Sequence, residues 1–313
     1  MSDGMPFTPS VEQTAVAIAY KNKRLIADSV LPYAPVGKRL YEWTEYKTEE
    51  LFTVPDTKIG RKSEANQVEF TSESRTGSVE DYGLSDVVPN DDINNAPENY
   101  NPLTHAAENV TDLVLLDREV RVAKFYNTTT NFGKNHKLVG TGDFRHIDDP
   151  EHNVLKFLLE IINEPLMRPN CLTMSRNVAT ALVTHPRLIK AYNGTLGDDG
   201  LLPMSWLKDK LEIEYINIGE ARVNIKKKGQ GMKLERAWKD SMSLTYHDPL
   251  ANFQNSRMTF ALTARYGSRV SSNKPVAAGL RGGVKVLVGE SVQEQLIAKD
   301  CGILLTDVLT PKA

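Results

Sequence analysis

Cysteine is nearly absent: Cys171 and Cys301 are the only two in 313 residues and form no CxxC pair. Neither a disulfide scaffold nor a zinc knuckle is therefore encoded. Excess charge is missing as well. With 38 basic residues against 40 acidic ones the formal net charge is −2, which excludes a nucleic-acid binder driven by bulk charge. No stretch reaches the roughly 18 apolar residues of a membrane span. Asp3 and Glu12 stand where a secretory signal would place a basic start and an apolar core. The expectation is a soluble, non-exported chain made in a reducing cytoplasm. No repeat or low-complexity tract is present, and a hydrophobic fraction of 40% with 25% charged residues is that of a globular chain. Its length suggests about two domains.

Motifs that carry chemistry are also scarce. None of the six histidines has the HExxH or HxH spacing that puts two imidazoles on one metal. The best cluster runs from His146 to His152. As a metal site it would need His146, Asp148 or Asp149, and His152 to converge; the same residues also make an ordinary acidic, capped helix start, and that is the reading adopted. No phosphate-binding glycine loop occurs, since Gly229-Gln-Gly231 lacks a third glycine and Gly279-Leu-Arg-Gly-Gly283 leads into a strand. A G-x-S-x-G elbow is missing, and Ser175 reads as a helix cap. Cys171 reads as a small hydrophobe in a buried strand. The basic run Lys226-Lys-Lys228 with Lys233, Arg236 and Lys239 is interrupted by Glu235 and Asp240, with only Trp238 interleaved. It is read as a solvated or subunit-facing surface, because single-strand binding wants stacking aromatics as well as charge. Trp43 and Trp206 read as packing anchors.

What is present is organisation. Residues 1–41 hold short apolar patches broken by Pro32 and Pro35, and read as an extended arm outside any core. From 42 to 81, Glu45, Lys47, Glu49, Glu50, Asp56, Lys58, Arg61, Lys62, Glu64, Glu69, Glu73, Arg75 and Glu80 crowd a segment with few large apolar side chains. Such a segment cannot offset its own ordering entropy. Alternation in Val68-Glu-Phe70 and around Val79, with Gly60 and Gly77 as breakers, predicts the two legs of a long β-excursion. Asn101 as N-cap and Pro102 at the first position open a helix predicted to run to Tyr126, with Ala107, Val110, Leu113, Val114, Leu116, Val120 and Ala123 on its apolar face. A second helix is predicted from Asp149-Pro150, carrying Val154, Phe157, Leu158, Ile161 and Ile162 and stopped by Pro165. Strand and helix then alternate, as in an α/β layer: a buried strand Cys171–Met174, a helix capped by Ser175, a helix from His185-Pro186 to Tyr192, and strands at Ile213–Ile218, Ser243–Tyr246 and Met258–Leu262. The tail, from Val284–Val288 through Ile303–Leu305, returns to β.

Five segments, in order, resemble the tailed-phage major capsid proteins of the Hong Kong 97-like fold. Ile18-Ala-Tyr20, Ile26-Ala-Asp28 and Leu31-Pro-Tyr-Ala-Pro-Val36 resemble that family's N-terminal arm, and Tyr82-Gly-Leu-Ser-Asp-Val-Val-Pro89 the strand leaving its extended loop. Val110 to Ala123, with the Arg118-Glu119 pair and Arg121-Val-Ala123, is similar to its spine helix. Asn170 to Val178, leading to Leu182 and His185-Pro186, resembles its strand, small turn and helix start. Ala298 to Val308 resembles its closing peripheral-domain strands.

The resemblance implies an α+β fold with an N-arm (1–41), an extended β-hairpin loop (42–81), a peripheral domain with a long spine helix (82–150 and 251–313) and an α/β axial domain (151–250). Residues 219–236 fit no part of the family pattern. It also implies a structural protein with no cofactor and no active site, self-assembling into hexamers and pentamers of an icosahedral virion shell around double-stranded DNA, in the host cytoplasm. The implied partners are other copies of itself, a scaffolding protein, a portal at one vertex, the packaged DNA without sequence specificity and cementing proteins, with no membrane. Because only 41 residues precede the loop, the scaffold is expected to be a separate protein and the mature N-terminus to lie near Met1. Lys58, Arg61, Lys62, Glu64, Glu69, Glu73 and Arg75 are the expected inter-subunit contacts, since a hairpin so poor in apolar surface needs complementary charge next door. Some members of the family join a loop lysine to an asparagine. Here Arg61 and Glu64 beside Lys58 and Lys62 mark a wet tip, and no cross-link is expected even though Asn90, Asn94, Asn95 and Asn131 are at hand. The rival readings are an encapsulin-type nanocompartment shell and a metal-dependent hydrolase built on His146, Asp149 and His152.

Overall fold

The computed structural model describes residues 8–20, 22, 24–46, 50, 52–69, 71–194, 200–227, 229–255 and 257–311. Lys47, Glu49, Phe70 and Lys228, which entered the readings above, lie outside them, as does Met1.

Along the chain, β1 (Thr8–Pro9) is followed by α1 (Val11–Ala19), α2 (Ala27–Val30) and β2 (Tyr33–Val36). The reading of 1–41 as an extended arm outside any core is corrected here. Ala27, Val30, Leu31 and Ala34 are buried in the body of the molecule. Pro35 is compatible with this because β2 is an edge strand, where its missing N–H costs no ladder bond. The hairpin β3 (Leu40–Tyr46) and β4 (Ser72–Ser78) pairs in register from Leu40↔Ser78 to Tyr46↔Ser72. These are the two legs of the excursion; Val68 and Glu69 lie before the second leg, outside any strand. Next come β5 (Glu80–Pro89) and the short α3 (Asn90–Asn94).

Helix α4 (Pro102–Tyr126) has the expected bounds, because the Asn101 side chain accepts the Leu103 and Thr104 N–H groups at 3.0 and 3.3 Å. Its buried face is rotated from the expected one. Leu113 and Val120 are exposed, whereas Thr111, Leu115, Arg118 and Glu119 are buried beside Ala107, Val110, Val114 and Val122. A pattern built on apolar residues alone passes over two charges that belong to the core.

After β6 (Lys134–Lys137) comes α5 (Val154–Ile161). It starts at Asn153, whose carboxamide accepts the Lys156 N–H, and not at Asp149. The Asp149 carboxylate instead closes a turn on the Glu151 N–H and pairs with Arg145. The predicted stripe of Val154, Phe157, Leu158, Ile161 and Ile162 is buried. The rest of the layer is β7 (Cys171–Ser175), α6 (Arg176–Val183), α7 (Pro186–Asn193), α8 (Met204–Leu211), β8 (Tyr215–Gly219), the small hairpin β9 (Arg222–Asn224) and β10 (Leu234–Arg236), and β11 (Met242–Thr245). Ser175 Oγ accepts the Val178 N–H, as a cap should. Two long strands, β12 (Ala261–Val276) and β13 (Gly283–Leu296), and a short β14 (Gly302–Thr306) complete the fold.

Two five-stranded sheets result. The first runs β1-β12-β13-β5 with β2 alongside β12, and α4 packs against it. The second runs β6-β14-β11-β7-β8, mixed in direction. The tail strand therefore does not close the sheet of the long strands: β14 hydrogen-bonds to β11 and β6, so 302–306 and 134–137 share a sheet with 171–245. Gly302 makes the crossing possible, because a Cβ there would lie 2.6 Å from the Phe260 ring.

Adjacent buried charges tie the parts together. Arg118, fully buried, donates to Leu31 O at 3.0 Å and Thr263 Oγ1 at 3.1 Å, pairs with Asp28 and stacks 3.8 Å above the Tyr33 ring. Burial lowers its pKa to about 10, so it stays charged at neutral pH. Glu119 accepts the Ile26 and Ala27 N–H groups at 2.9 and 2.7 Å and the Trp238 indole N–H at 2.6 Å. A Glu119→Gln change leaves at least one of these donors facing an NH2 group. We expect a loss of about 2 kcal/mol in the urea unfolding of the unassembled subunit. Glu160→Gln, which removes only the exposed 3.6 Å pair with Lys156, should stay within about 0.5 kcal/mol.

His247 has Nε2 at 3.2 Å from the Tyr126 hydroxyl and 3.1 Å from Thr245 Oγ1. Burial pushes its pKa from 6.5 down to about 4. The folded state holds the ring neutral while the unfolded chain takes up the proton, so this stability is complete above pH 6.5 and is lost as pH falls towards 4. The loss amounts to about 3 kcal/mol at most. His247→Gln should flatten the urea midpoint between those two pH values, leaving the part due to His152, whose pKa burial also lowers; an unchanged slope would refute the assignment.

Candidate subunit-contact surfaces

The hairpin β3–β4 leaves the body at an aromatic root. Tyr41 packs on Phe253 with ring centroids 4.8 Å apart, and Trp43 on the same ring at 6.0 Å. Across the ladder Tyr41 faces Gly77, where a Cβ would lie 2.6 Å from its ring, so only glycine admits it. Burial pushes the Tyr41 hydroxyl up to about 12. Arg39 and Asp81 bridge the base at 2.9 Å, and the hydrogen bonds from Arg39 and Ser291 hold the Asp81 carboxyl below the usual range.

Beyond the root the seven expected contact residues separate into two groups. Arg75 pairs with Glu45 at 2.8 Å and Glu73 at 3.0 Å, so Glu73 and Arg75 are engaged within their own hairpin. Lys58, Arg61, Lys62, Glu64 and Glu69 lie on the segment 52–69, whose residues are all exposed, and have no ion pair among the described residues. Hydrogen bonds on that segment are polar and local, among them Asp56 accepting the Lys58 N–H at 3.0 Å, Asn66 donating to Asp56 O at 2.8 Å, and the Ser63 N–H donating to Gly60 O at 3.0 Å. Charge alone misses part of this surface. Phe52, Val54, Ile59 and Val68 are also exposed, Val54 to 90%. Their wide spacing between charges hides them from a periodicity search.

The histidine cluster forms no ligand set. His146 Nδ1 donates to Asp307 O at 2.9 Å, His152 Nδ1 to His146 O at 3.1 Å, and His185 Nε2 to Asp149 O at 2.9 Å. These rings bind loop to loop, and no group of three His, Cys, Asp or Glu side chains converges among the described residues. Cys171 is buried with its thiol pKa raised by burial, as a small hydrophobe in β7. No helix among the described residues is long and apolar enough to cross a membrane.

Comparison with known proteins gives a consistent picture. No family model matches the chain. The major capsid protein of Pseudomonas phage JBD67 is 46% identical over 307 residues, covering 97% of this chain and 98% of that protein. A phage-related protein from Bordetella bronchiseptica RB50 superposes with a TM-score of 0.75 at 20% identity, over 98% of this chain and all of the other. The capsid structure of cyanophage P-SCSP1u superposes with a TM-score of 0.56 at 10% identity, over 97% and 92% of the two chains. A full-length relative of this identity places the chain among the phage major capsid proteins, and its two five-stranded sheets, long helix with buried charges and exposed hairpin loop have the Hong Kong 97-like fold.

Proposed function

We infer that copies of this chain form rings of five and six that close into an icosahedral shell around double-stranded DNA, the segment 52–69 of each copy lying over its neighbour. The observation that carries the contact is the segment 52–69, which exposes three cations and four large apolar side chains and has no core of its own. A head-to-tail contact of this kind closes into rings, and rings of two sizes give a curved shell. Sheet membership favours a peripheral layer of β1, β2, β5, β12 and β13 with α4, and an axial layer that takes in 134–150 and 302–311 beside 151–250. The encapsulin reading is the weaker one, because the full-length relative at 46% identity is a phage capsid protein. The structural role of that relative likewise displaces the hydrolase reading. Such a shell implies assembly in the host cytoplasm with a scaffolding protein, a portal at one vertex and cementing proteins on its surface.

Reversing Lys58, Arg61 and Lys62 together to Glu should abolish shells in negative-stain images while leaving circular dichroism and the urea midpoint of the subunit unchanged. Normal particles from this triple variant would overturn the contact.

The shell should also be free of covalent cross-links. Joining lysine to asparagine needs a neutral amine beside a general base in a water-poor pocket. Lys58 and Lys62 are exposed, and the Asn90 and Asn131 amides donate to Arg281 O and Phe125 O of their own chain at 2.8 and 2.9 Å. Boiled particles should run as a single band near 34.9 kDa on a denaturing gel. A ladder of oligomers would contradict this.

A further inference from the structure

The small hairpin β9–β10 sets Arg222 directly opposite Arg236. Directly opposed residues of an antiparallel pair share a face, and like charges so placed repel unless an anion lies between them. Both arginines line a groove of about 610 Å³ between this hairpin, the N-terminal segment at Arg24 and the α4 residue Leu116. Its acids are already engaged: Asp112 accepts the Asn22 amide at 2.6 Å, and Glu220 pairs with Arg176. The groove is thus lined by four arginines against the two carboxylates Asp112 and Glu220, an excess of positive charge in which Arg24, Arg222 and Arg236 make no ion pair among the described residues.

The residues that break up this basic run in the sequence are turned away from it by the fold. Glu235 faces the other side of the hairpin, opposite Val223, and pairs with Lys233 at 3.1 Å. Asp240 accepts Ser175 Oγ and Asn177 Nδ2, each at 3.0 Å, at the start of α6. Trp238 is buried, its indole N–H on Glu119, and none of the described residues lining the groove is aromatic, so the groove itself offers no ring for stacking on a base. Lys226 and Lys227 continue the positive stripe onto the exposed hairpin tip. At the ~3.3 Å per residue of a strand, Arg222 to Asn224 spans about 7 Å, and the chain then turns on the Asn224 side chain, which accepts the Lys226 N–H at 3.2 Å. Three arginines lining one groove, with two lysines beyond the strand end, offer more donors than one small anion can take up; a linear polyanion can.

We propose that this groove holds the sugar-phosphate backbone of the packaged duplex, with Arg24, Arg222 and Arg236 on phosphate oxygens and Lys226 and Lys227 extending the contact. The assignment rests on the reading of the chain as a DNA-enclosing shell. Guanidinium forks match phosphate oxygens in pairs, and the lack of a stacking platform selects backbone over unpaired bases. A chain of net charge −2 otherwise offers DNA little attraction, so a local stripe repeated on every subunit sets where the duplex touches the wall.

The test uses full-length protein and a duplex of arbitrary sequence of about thirty base pairs, followed by fluorescence anisotropy at a series of salt concentrations, with shell formation in cells that also express the phage's other head-assembly proteins scored separately by negative stain. Each phosphate neutralised contributes about −0.9 to the slope of log K against log salt. Arg222→Gln with Arg236→Gln should weaken binding at least tenfold at low salt and make the slope shallower by about 2, and the double change to Lys should restore the slope. Lys226→Gln with Lys227→Gln, on the exposed tip, should weaken binding as well and decides the matter if the first variant does not fold. Shells should form in every case. An unchanged slope in the Gln variants, or no duplex binding by the wild type, overturns the assignment. Shells lost while duplex binding is kept would also overturn it, giving the groove to an acidic segment of a neighbouring copy. Shells that fail to form even in the wild type would instead count against the capsid reading, an outcome the anisotropy measurement does not mimic.

Discussion

Arg118 and Glu119 are consecutive on α4 and so point about 100° apart around its axis, which lets one helix hold two different partners at once. Arg118 reaches the Leu31 carbonyl and Thr263 of β12; Glu119 reaches the backbone at Ile26 and Ala27 and the indole of Trp238. The N-terminal segment, the first sheet and the approach to the second are thereby fixed to the same helical turn. Buried charges of this kind add little net stability over an apolar filling of the same volume, because desolvation consumes most of the Coulombic gain. Their effect is on alternatives: any other seating of 26–31 leaves a buried charge without its partners. The same device recurs at Arg269 and Glu290, paired at 3.0 Å between β12 and β13, where Arg269 also donates to Ala17 O at 2.8 Å and so fixes α1.

A body held so firmly contrasts with the excursion it carries. Ordering a residue costs about 1–2 kcal/mol of backbone entropy, and the segment 52–69 buries no side chain against which to set that cost. Only its root is anchored, by Tyr41 and Trp43 against Phe253 and by the fit of the Tyr41 ring over Gly77. The consequence is an excursion fixed at its root and open along its tip.

How much of this the sequence discloses depends on the range of the interaction. Caps are local, so Asn101, Ser175 and His185-Pro186 locate three helix starts correctly. The stripe from Val154 to Ile162 is likewise legible, since its burial follows a strict helical period. Where polar residues enter the core the period misleads: Leu113 and Val120 face out because Arg118 and Glu119 face in. Long-range pairings leave no local trace. Nothing near Gly302 says that the tail joins β11, or near Pro35 that β2 lies parallel to β12. The proposed contact surface is legible only as charge, which marks the exposed Lys58, Arg61 and Lys62 and equally Glu73 and Arg75, although the β3–β4 ladder brings the latter two to partners within their own hairpin.

The separation of charge into buried networks and exposed, unpaired tips also fits the way a shell must be built. A single exposed ion pair contributes about 0–1 kcal/mol, too little to hold two subunits for long, so a misplaced copy can leave. Around a closed ring the contacts act together, and the effective concentration of each next contact rises steeply once its neighbours are in place. On the contact proposed above, weak charged tips would permit correction before closure and resist loss after it. The buried groups at Arg118, Glu119, Arg269 and Glu290 hold the body to one shape, and rigid bodies joined by reversible tips, as proposed above, would let one sequence meet its copies in rings of different size.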